Sequence, residues 1–314
     1  MRRGISGGVS ITAEQPPAIR RVAITGASGL IGGALTDALR RDGIAVLRIG
    51  RGRDADVRWD VDQGVLDAAG LEDLGAVVNL AGATIAQRWT TAHRRAIHDS
   101  RVHGTLLLAR ALAGLRRPPP VLLSGSAMGV YGDRGDEVLR ETSSLGTGFL
   151  ADVARAWELA TRGASEAGIA VAHLRTGLAL SRYGGALPKM ITPFRFGVGG
   201  VVGTGRQWMS WVGLHDLVRA IRFVMVRRIA GPVNIVAPNP VTGAEFAKTL
   251  GAVLHRPSLV PVPAFALRLA FGAMADQTLL ASQRVIPEQL TAAGFSFDEP
   301  DLSGALRRET QHRA

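Results

Sequence analysis

The segment Thr25-Gly26-Ala27-Ser28-Gly29-Leu30-Ile31-Gly32 directly follows an apolar run, Val22 to Ile24, and opens an apolar-periodic stretch from Leu30 to Leu39. A strand that turns through glycines into a helix admits few folds. Gly26 serves the tight turn, Gly29 lets the backbone approach an anion, and Gly32 lets the helix pack close to its strand. The first turn of the helix, from Ser28 through Leu30 and Ile31, offers free N–H groups, so the segment suits the pyrophosphate of a dinucleotide. With 39 glycines in the chain, the spacing alone would be weak; the flanking strand and helix are what make it specific.

The same alternation continues. Ala45–Ile49, Ala76–Leu80, Val121–Leu123, Ile169–Leu174 and Val233–Ala237 read as buried strands, while Leu30–Arg41, Thr90–Leu115, Thr147–Ala167, Ala186–Phe196 and Leu217–Met225 read as helices. Continuous apolar strands separated by helices predict an α/β fold, a doubly wound parallel sheet covered on both faces, with a small, mainly helical C-terminal domain. The expected organisation is a flexible basic tail over 1–19, a dinucleotide-binding domain over 20–238 with substrate loops at 176–215, and a C-terminal domain over 239–314. Phe265 to Met274 is too short and interrupted to span a bilayer and is expected as a docked core helix.

The chain has no cysteine, which excludes disulfides, thiolate metal sites and cysteine nucleophiles. His93, His98 and His103 stand five apart, a spacing that spreads them around a helix, so no metal is expected. The formal net charge of +11 comes almost entirely from scattered arginines, Lys189 and Lys248 being the only lysines. No basic run is interleaved with aromatics, which argues against a nucleic-acid partner. With no signal peptide or anchor in the basic arm, the chain reads as a cytoplasmic protein of a small-molecule ligand, compatible with a homo-oligomer.

Beyond the second strand stands Gly50-Arg51-Gly52-Arg53, where an acidic residue would serve the ribose hydroxyls of NAD. Guanidinium groups at Arg51 and Arg53 suit the additional 2′-phosphate of NADP(H), although Asp54 and Asp56 follow closely. Leu80, Ala81 and Gly82 end a strand at the edge where the cofactor must lie, and Leu178 follows another such strand, where its backbone could border the nicotinamide. Gln207, Trp208 and Trp211 read either as lining of an apolar substrate pocket or, for the tryptophans, as core. Asp133, Asp136, Glu137 and Glu141 read as solvated loop charges, and so does Asp152. His215-Asp216 reads as a helix cap.

Taken together, Asn79-Leu80-Ala81-Gly82-Ala83, Arg88-Trp89, Ser124 to Gly132, Phe149-Leu150-Ala151 with Trp157-Glu158, Arg175-Thr176-Gly177, Gly184 to Leu187, Gln207 to Trp211 and Gly231 to Asn234 carry a family resemblance. From Arg21 to Leu306 the chain resembles the extended short-chain dehydrogenase/reductase superfamily, in the atypical epimerase/dehydratase-like form with a C-terminal domain of unknown function. Members of that group have been labelled nucleotide-sugar epimerases, and some cell-division inhibitors. The resemblance implies a Tyr-x-x-x-Lys acid/base pair and a serine that orients the substrate oxygen. Ser126 matches the serine, but Phe149 and Val153 stand at the dyad positions, and neither Tyr131 nor Tyr183 has a lysine four residues on. Tyr131 is then the candidate proton donor beside Ser126, a structural hydroxyl being the alternative. Two functions follow: an NADP(H)-dependent oxidoreductase or epimerase with an altered proton donor, or an NADP(H) sensor acting through a protein partner.

Overall fold

The computed structural model describes residues 19–310; the basic tail expected over 1–19 therefore lies, but for Ile19, outside the described residues. The sheet strands are β1 (Arg21–Thr25), β2 (Ala45–Gly50), β3 (Val57–Asp60), β4 (Val65–Leu66), β5 (Ala76–Asn79), β6 (Val121–Ala127), β7 (Ala170–Thr176) and β8 (Gly231–Ile235). They form one eight-stranded sheet in the order β8-β7-β6-β5-β1-β2-β3-β4, parallel throughout except for the β3–β4 pair. The chain winds outward from β1 to β4, then returns to place β5 on the other side of β1. The sheet therefore reverses direction between β1 and β5, and in open α/β sheets the crevice beyond that point receives the ligand.

Period-two alternation sends successive residues of each strand to opposite faces, and here both faces are apolar. Val22, Ile24, Val78 and Leu123 pack with Leu35 and Leu39 of α1 (Leu30–Arg41) and with Leu217 and Ile221 of the Leu214–Arg227 helix. Ala23, Val77 and Leu122 face the other way, onto Leu108 and Leu112 of α2 (Thr91–Ala113). Full burial of each such leucine contributes about 1.5–3 kcal/mol. Thr90 starts α2 by accepting a hydrogen bond from the His93 N–H, and Arg40 and Arg41 oppose the negative end of the α1 dipole.

Several expectations are corrected. The helix predicted over 147–167 is two, α3 (Phe149–Leu159) and a short Arg162–Glu166 turn, because the Thr161 hydroxyl bonds the Glu158 carbonyl where the chain turns. β3 was not expected; only Val57 and Trp59 of its four residues are buried, too short an alternation to stand out. The C-terminal region is mainly helical, as expected, with two short strand pairs added: Val241–Thr242 with Trp208–Met209, and Arg284–Val285 with Val138–Leu139. The Ala264–Phe271 helix is not a core helix, since it buries no residue, and Phe265 is 71% and Leu269 78% exposed. No described helix is long and apolar enough to cross a membrane.

Candidate functional site

Gly26 takes φ +69°, and a Cβ there would stand 2.9 Å from the Leu80 carbonyl carbon, so glycine is what lets the turn nest against the β5 loop. At Gly32 a Cβ would lie 2.2 Å from the Gly26 oxygen. Gly29 caps α1 without any side-chain hydrogen bond and donates its own N–H to Gly26 O at 2.9 Å. Ser28 and Gly29 are exposed, and the first turn of α1 holds no acidic residue. The opening is thus an uncapped, positive helix end of the kind that receives phosphate. Thr25 fixes the far wall: its hydroxyl donates to Asn79 Oδ1 at 2.7 Å and accepts from the N–H groups of Leu80 and Ala81. Sequence reasoning assigned Thr25 no such role; a polar residue ending an apolar strand was the available signal.

Arg48, within β2, takes both carboxylates of the loop beyond it, Asp54 at 2.9 Å and Asp56 at 3.3 Å. The backbone N–H of Arg48 also bonds Asp56 and, with the guanidinium, holds its carboxyl below the usual range. Arg51 and Arg53 are exposed and form no ion pair with any described residue. The acidic residues that clouded the choice of cofactor are committed to Arg48, and the two arginines are left open.

The carboxyl end of β6 leads into a buried polar chain. Ser126 donates from Oγ to Glu158 Oε1 at 2.7 Å, and Glu158 forms a two-point pair with Arg175 at 2.8 and 2.9 Å. Burial opposes ionisation of Glu158, but the Arg175 bonds and charge, with Ser126, outweigh it and leave the carboxyl below its ordinary range. Arg175 Nη1 donates to the Tyr131 hydroxyl at 3.0 Å, which in turn donates to Asn234 Oδ1 at 2.7 Å. Tyr131 is 0% exposed, and burial pushes its pKa up despite Arg175. That corrects the proton-donor reading: a fully buried phenol with both hydrogen-bonding directions engaged is a structural hydroxyl. Glu141 is also corrected, being buried instead of solvated. Its Oε1 accepts from the Asn234 and Gln289 N–H groups, Oε2 has no partner among the described residues, and burial raises its pKa.

At the dyad positions, Val153 is buried with Ile97, Trp89 and Met274, and Phe149 meets Trp89 edge to face at 5.1 Å. The pocket-lining residues are largely occupied elsewhere. Trp211 is fully buried in the C-terminal core and donates to Asn239 O, so the core alternative holds for it. Trp208 donates to Asp136 Oδ1 at 2.9 Å beneath the Arg284 guanidinium. Gln207 is buried and donates to Val202 O at 3.0 Å. Leu178 gives its N–H to Ser210 O at 2.9 Å, which removes that donor from any carboxamide. Asp152 is exposed and pairs with Arg155, while Asp216 accepts from the Asp298 and Glu299 N–H groups. His98 and His103, expected on different sides of α2, instead meet edge to face around Asp99, their ligand atoms within 4.8 Å of one another. His98 Nδ1 lies 2.9 Å from Asp99 Oδ1, and that partly exposed carboxylate also pairs with Arg95.

A sheet that reverses between β1 and β5, with a glycine turn feeding α1 at the reversal, defines an open, doubly wound α/β protein of the Rossmann type. The profile of the NAD dependent epimerase/dehydratase family matches residues 22–236, and that of a domain of unknown function (DUF1731) matches residues 262–309. The epimerase family protein Mb2239 of Mycobacterium bovis is 44% identical over 91% of this chain and 96% of its own length. Epimerase family protein YfhF of Bacillus subtilis is 35% identical over 91% and 96%. The crystal structure of human epimerase family protein SDR39U1 (isoform2) with NADPH superposes with a TM-score of 0.85 at 32% identity, covering 92% of this chain and 98% of that one. The chain belongs to the NAD dependent epimerase/dehydratase family.

Proposed function

We propose that this protein binds NADP(H) and acts as an oxidoreductase or epimerase on a small molecule. The observation that carries the reading is the open Arg51/Arg53 pair beside the α1 cradle, with Asp54 and Asp56 already taken by Arg48. The relative crystallised with NADPH supports it. The residues fit the cofactor: the N-terminus of α1 from Gly29 to Gly32 would hold the pyrophosphate, Leu80 to Gly82 would border it, and the two arginines would meet the 2′-phosphate. Bound there, the nicotinamide supplies a hydride donor or acceptor.

Ser126 orients the reacting oxygen. Its proton is directed at Glu158, which leaves the lone pairs of the hydroxyl to accept from a substrate hydroxyl. Phe149 and Val153 at the dyad positions carry no group that transfers a proton, which leaves that transfer to water or to a group carried by the substrate. The same lack of a phenol favours, as the second reading, a sensor that reports bound NADP(H) to a protein partner.

Arg51→Asp is expected to weaken NADPH binding by about 10- to 100-fold while leaving NADH within about twofold. Calorimetry with both nucleotides checks it, and equal losses would remove the 2′-phosphate role. Stopped-flow loss of NADPH absorbance against carbonyl compounds and sugar nucleotides then separates enzyme from sensor. A protein that saturates with NADPH yet turns over none of them, and retains a partner only when loaded, is the sensor.

A further inference from the structure

Resting on the cofactor reading above, we propose that Arg94 and Arg101 of α2 form the anion-recognition element of the substrate site, taking a carboxylate or phosphate of the molecule that reacts. Seven residues apart, they share one face of the helix two turns from each other. Phe149 and Trp157 of α3, eight apart, share the facing side. The Arg94 guanidinium carbon lies 5.0 Å from the Phe149 ring centre and 5.8 Å from that of Trp89. That of Arg101 lies 5.1 Å from the Trp157 ring centre. A Cβ at Gly82 would meet the same Arg101 carbon at 2.9 Å, so this charge sits directly against the loop at the carboxyl end of β5, the edge that receives ligands.

Among the described residues, neither of these two cations has an acid as partner. Nη1 of Arg101 donates to the carbonyls of Ala83 and Ile97, at 3.0 and 3.2 Å; its Nε and Nη2 bond no described residue. Neither arginine forms an ion pair among the described residues. Other arginines, one each from α2, α3 and β7, do: Arg95 with Asp99, Arg155 with Asp152, Arg175 with Glu158. Burial pushes Arg101 down to about 10, with no carboxylate to offset it. Desolvating a fixed positive charge at a ligand crevice is unfavourable in the free protein and is recovered when an anion arrives. The planar fork stacked on an indole leaves its open edge free for two parallel bonds to such a group, a geometry suited to carboxylate or phosphate. The pair also restores positive charge next to Val153, where the resemblance implies a lysine: Arg101 lies one helical turn past Ile97, which packs in the cluster that holds Val153.

The test uses inorganic phosphate and malonate as probes, titrated at constant ionic strength into the NADPH-loaded full-length protein and read by tryptophan fluorescence, since Trp89 and Trp157 adjoin the two arginines. Wild type is expected to saturate with at least one probe. R94Q and R101Q should each raise the midpoint at least about tenfold, and R95Q, which alters a charge already paired with Asp99, should stay within about twofold. R101K keeps the charge but loses the fork; it is expected at least about threefold above wild type and serves where R101Q does not fold. The proposal is overturned by no saturation in wild type, or by midpoints in R94Q and R101K indistinguishable from it. It is also overturned if R101Q loses NADPH affinity about tenfold while phosphate binding to the loaded protein is unchanged, because the guanidinium would then serve the cofactor's own pyrophosphate. Failure of wild type to bind NADPH sinks the cofactor reading instead, and the same titrations on the unloaded protein then decide the arginines alone.

Discussion

Glu158→Ala is expected to destabilise the protein by about 3–5 kcal/mol, because it strands a buried guanidinium and removes the acceptor of the Ser126 hydroxyl. Arg175 is 4% exposed, and its two bonds to Glu158 replace the water it gives up. The acid dependence follows from the depressed Glu158 pKa. With the folded value below the ordinary 4.5, the ionised pair stabilises the fold above that pH, and its contribution fades as pH falls through the lower, folded value. Glu158→Gln should therefore flatten that part of the stability profile, as denaturant titrations between about pH 3 and 6 would show. The double variant Glu158→Leu with Arg175→Met should recover much of the loss, since apolar replacement of both partners leaves no orphan charge. If Glu158→Ala unfolds at the wild-type denaturant concentration, the buried network does not hold the fold.

The second large effect is at the helix end. Gly32→Ala is expected to lower NADPH affinity at least about 100-fold, about 2.7 kcal/mol, while costing about 1–3 kcal/mol of stability through overpacking. The added methyl would lie 2.2 Å from the Gly26 oxygen, 2.8 Å from its carbonyl carbon and 3.0 Å from the Ala27 Cα, all backbone atoms that cannot swing aside. Only a shift of α1 away from the turn relieves this, and the N–H groups aimed into the cradle move with it. Gly33→Ala is the control: its nearest neighbour would be Ala27 O at 3.6 Å, and alanine suits a helix interior better than glycine. Calorimetric titration of both variants decides the matter, and equal affinities would show that the close helix packing is irrelevant to the anion site.

The glycine turn, α1 and the central strands were legible because each is a local pattern: an apolar run, a turn that needs glycine, a 3.6-residue period. The polar chain under β6 was not. Ser126, Glu158, Arg175 and Tyr131 come from four separate elements, and nothing in their spacing brings them together. A charged residue within the apolar stretch Ala170–Thr176 was the one hint, since an arginine in a central strand must find a carboxylate. Trp211 shows the limit differently, since a large aromatic at alternate spacing is compatible with a pocket or a core, and only the Val241 to Leu306 region packing over it decides. A five-residue interval on a helix turns the Cα positions of His98 and His103 about 140° apart, which says nothing of where long side chains end. The side chains of His98 and His103 converge on Asp99.

The short pairing of Arg284–Val285 with Val138–Leu139 bears on how the chain is made. The Ser282 hydroxyl bonds Gly135 O across 147 positions, and Asn234 bonds Ile286 O. While a ribosome is still translating, the β6–α3 connection lacks these closing partners, and Glu141 lacks the Gln289 N–H. A chain made only as far as β7 therefore holds seven of the eight sheet strands but none of the partners from residues 282–289 that close over the β6–α3 connection.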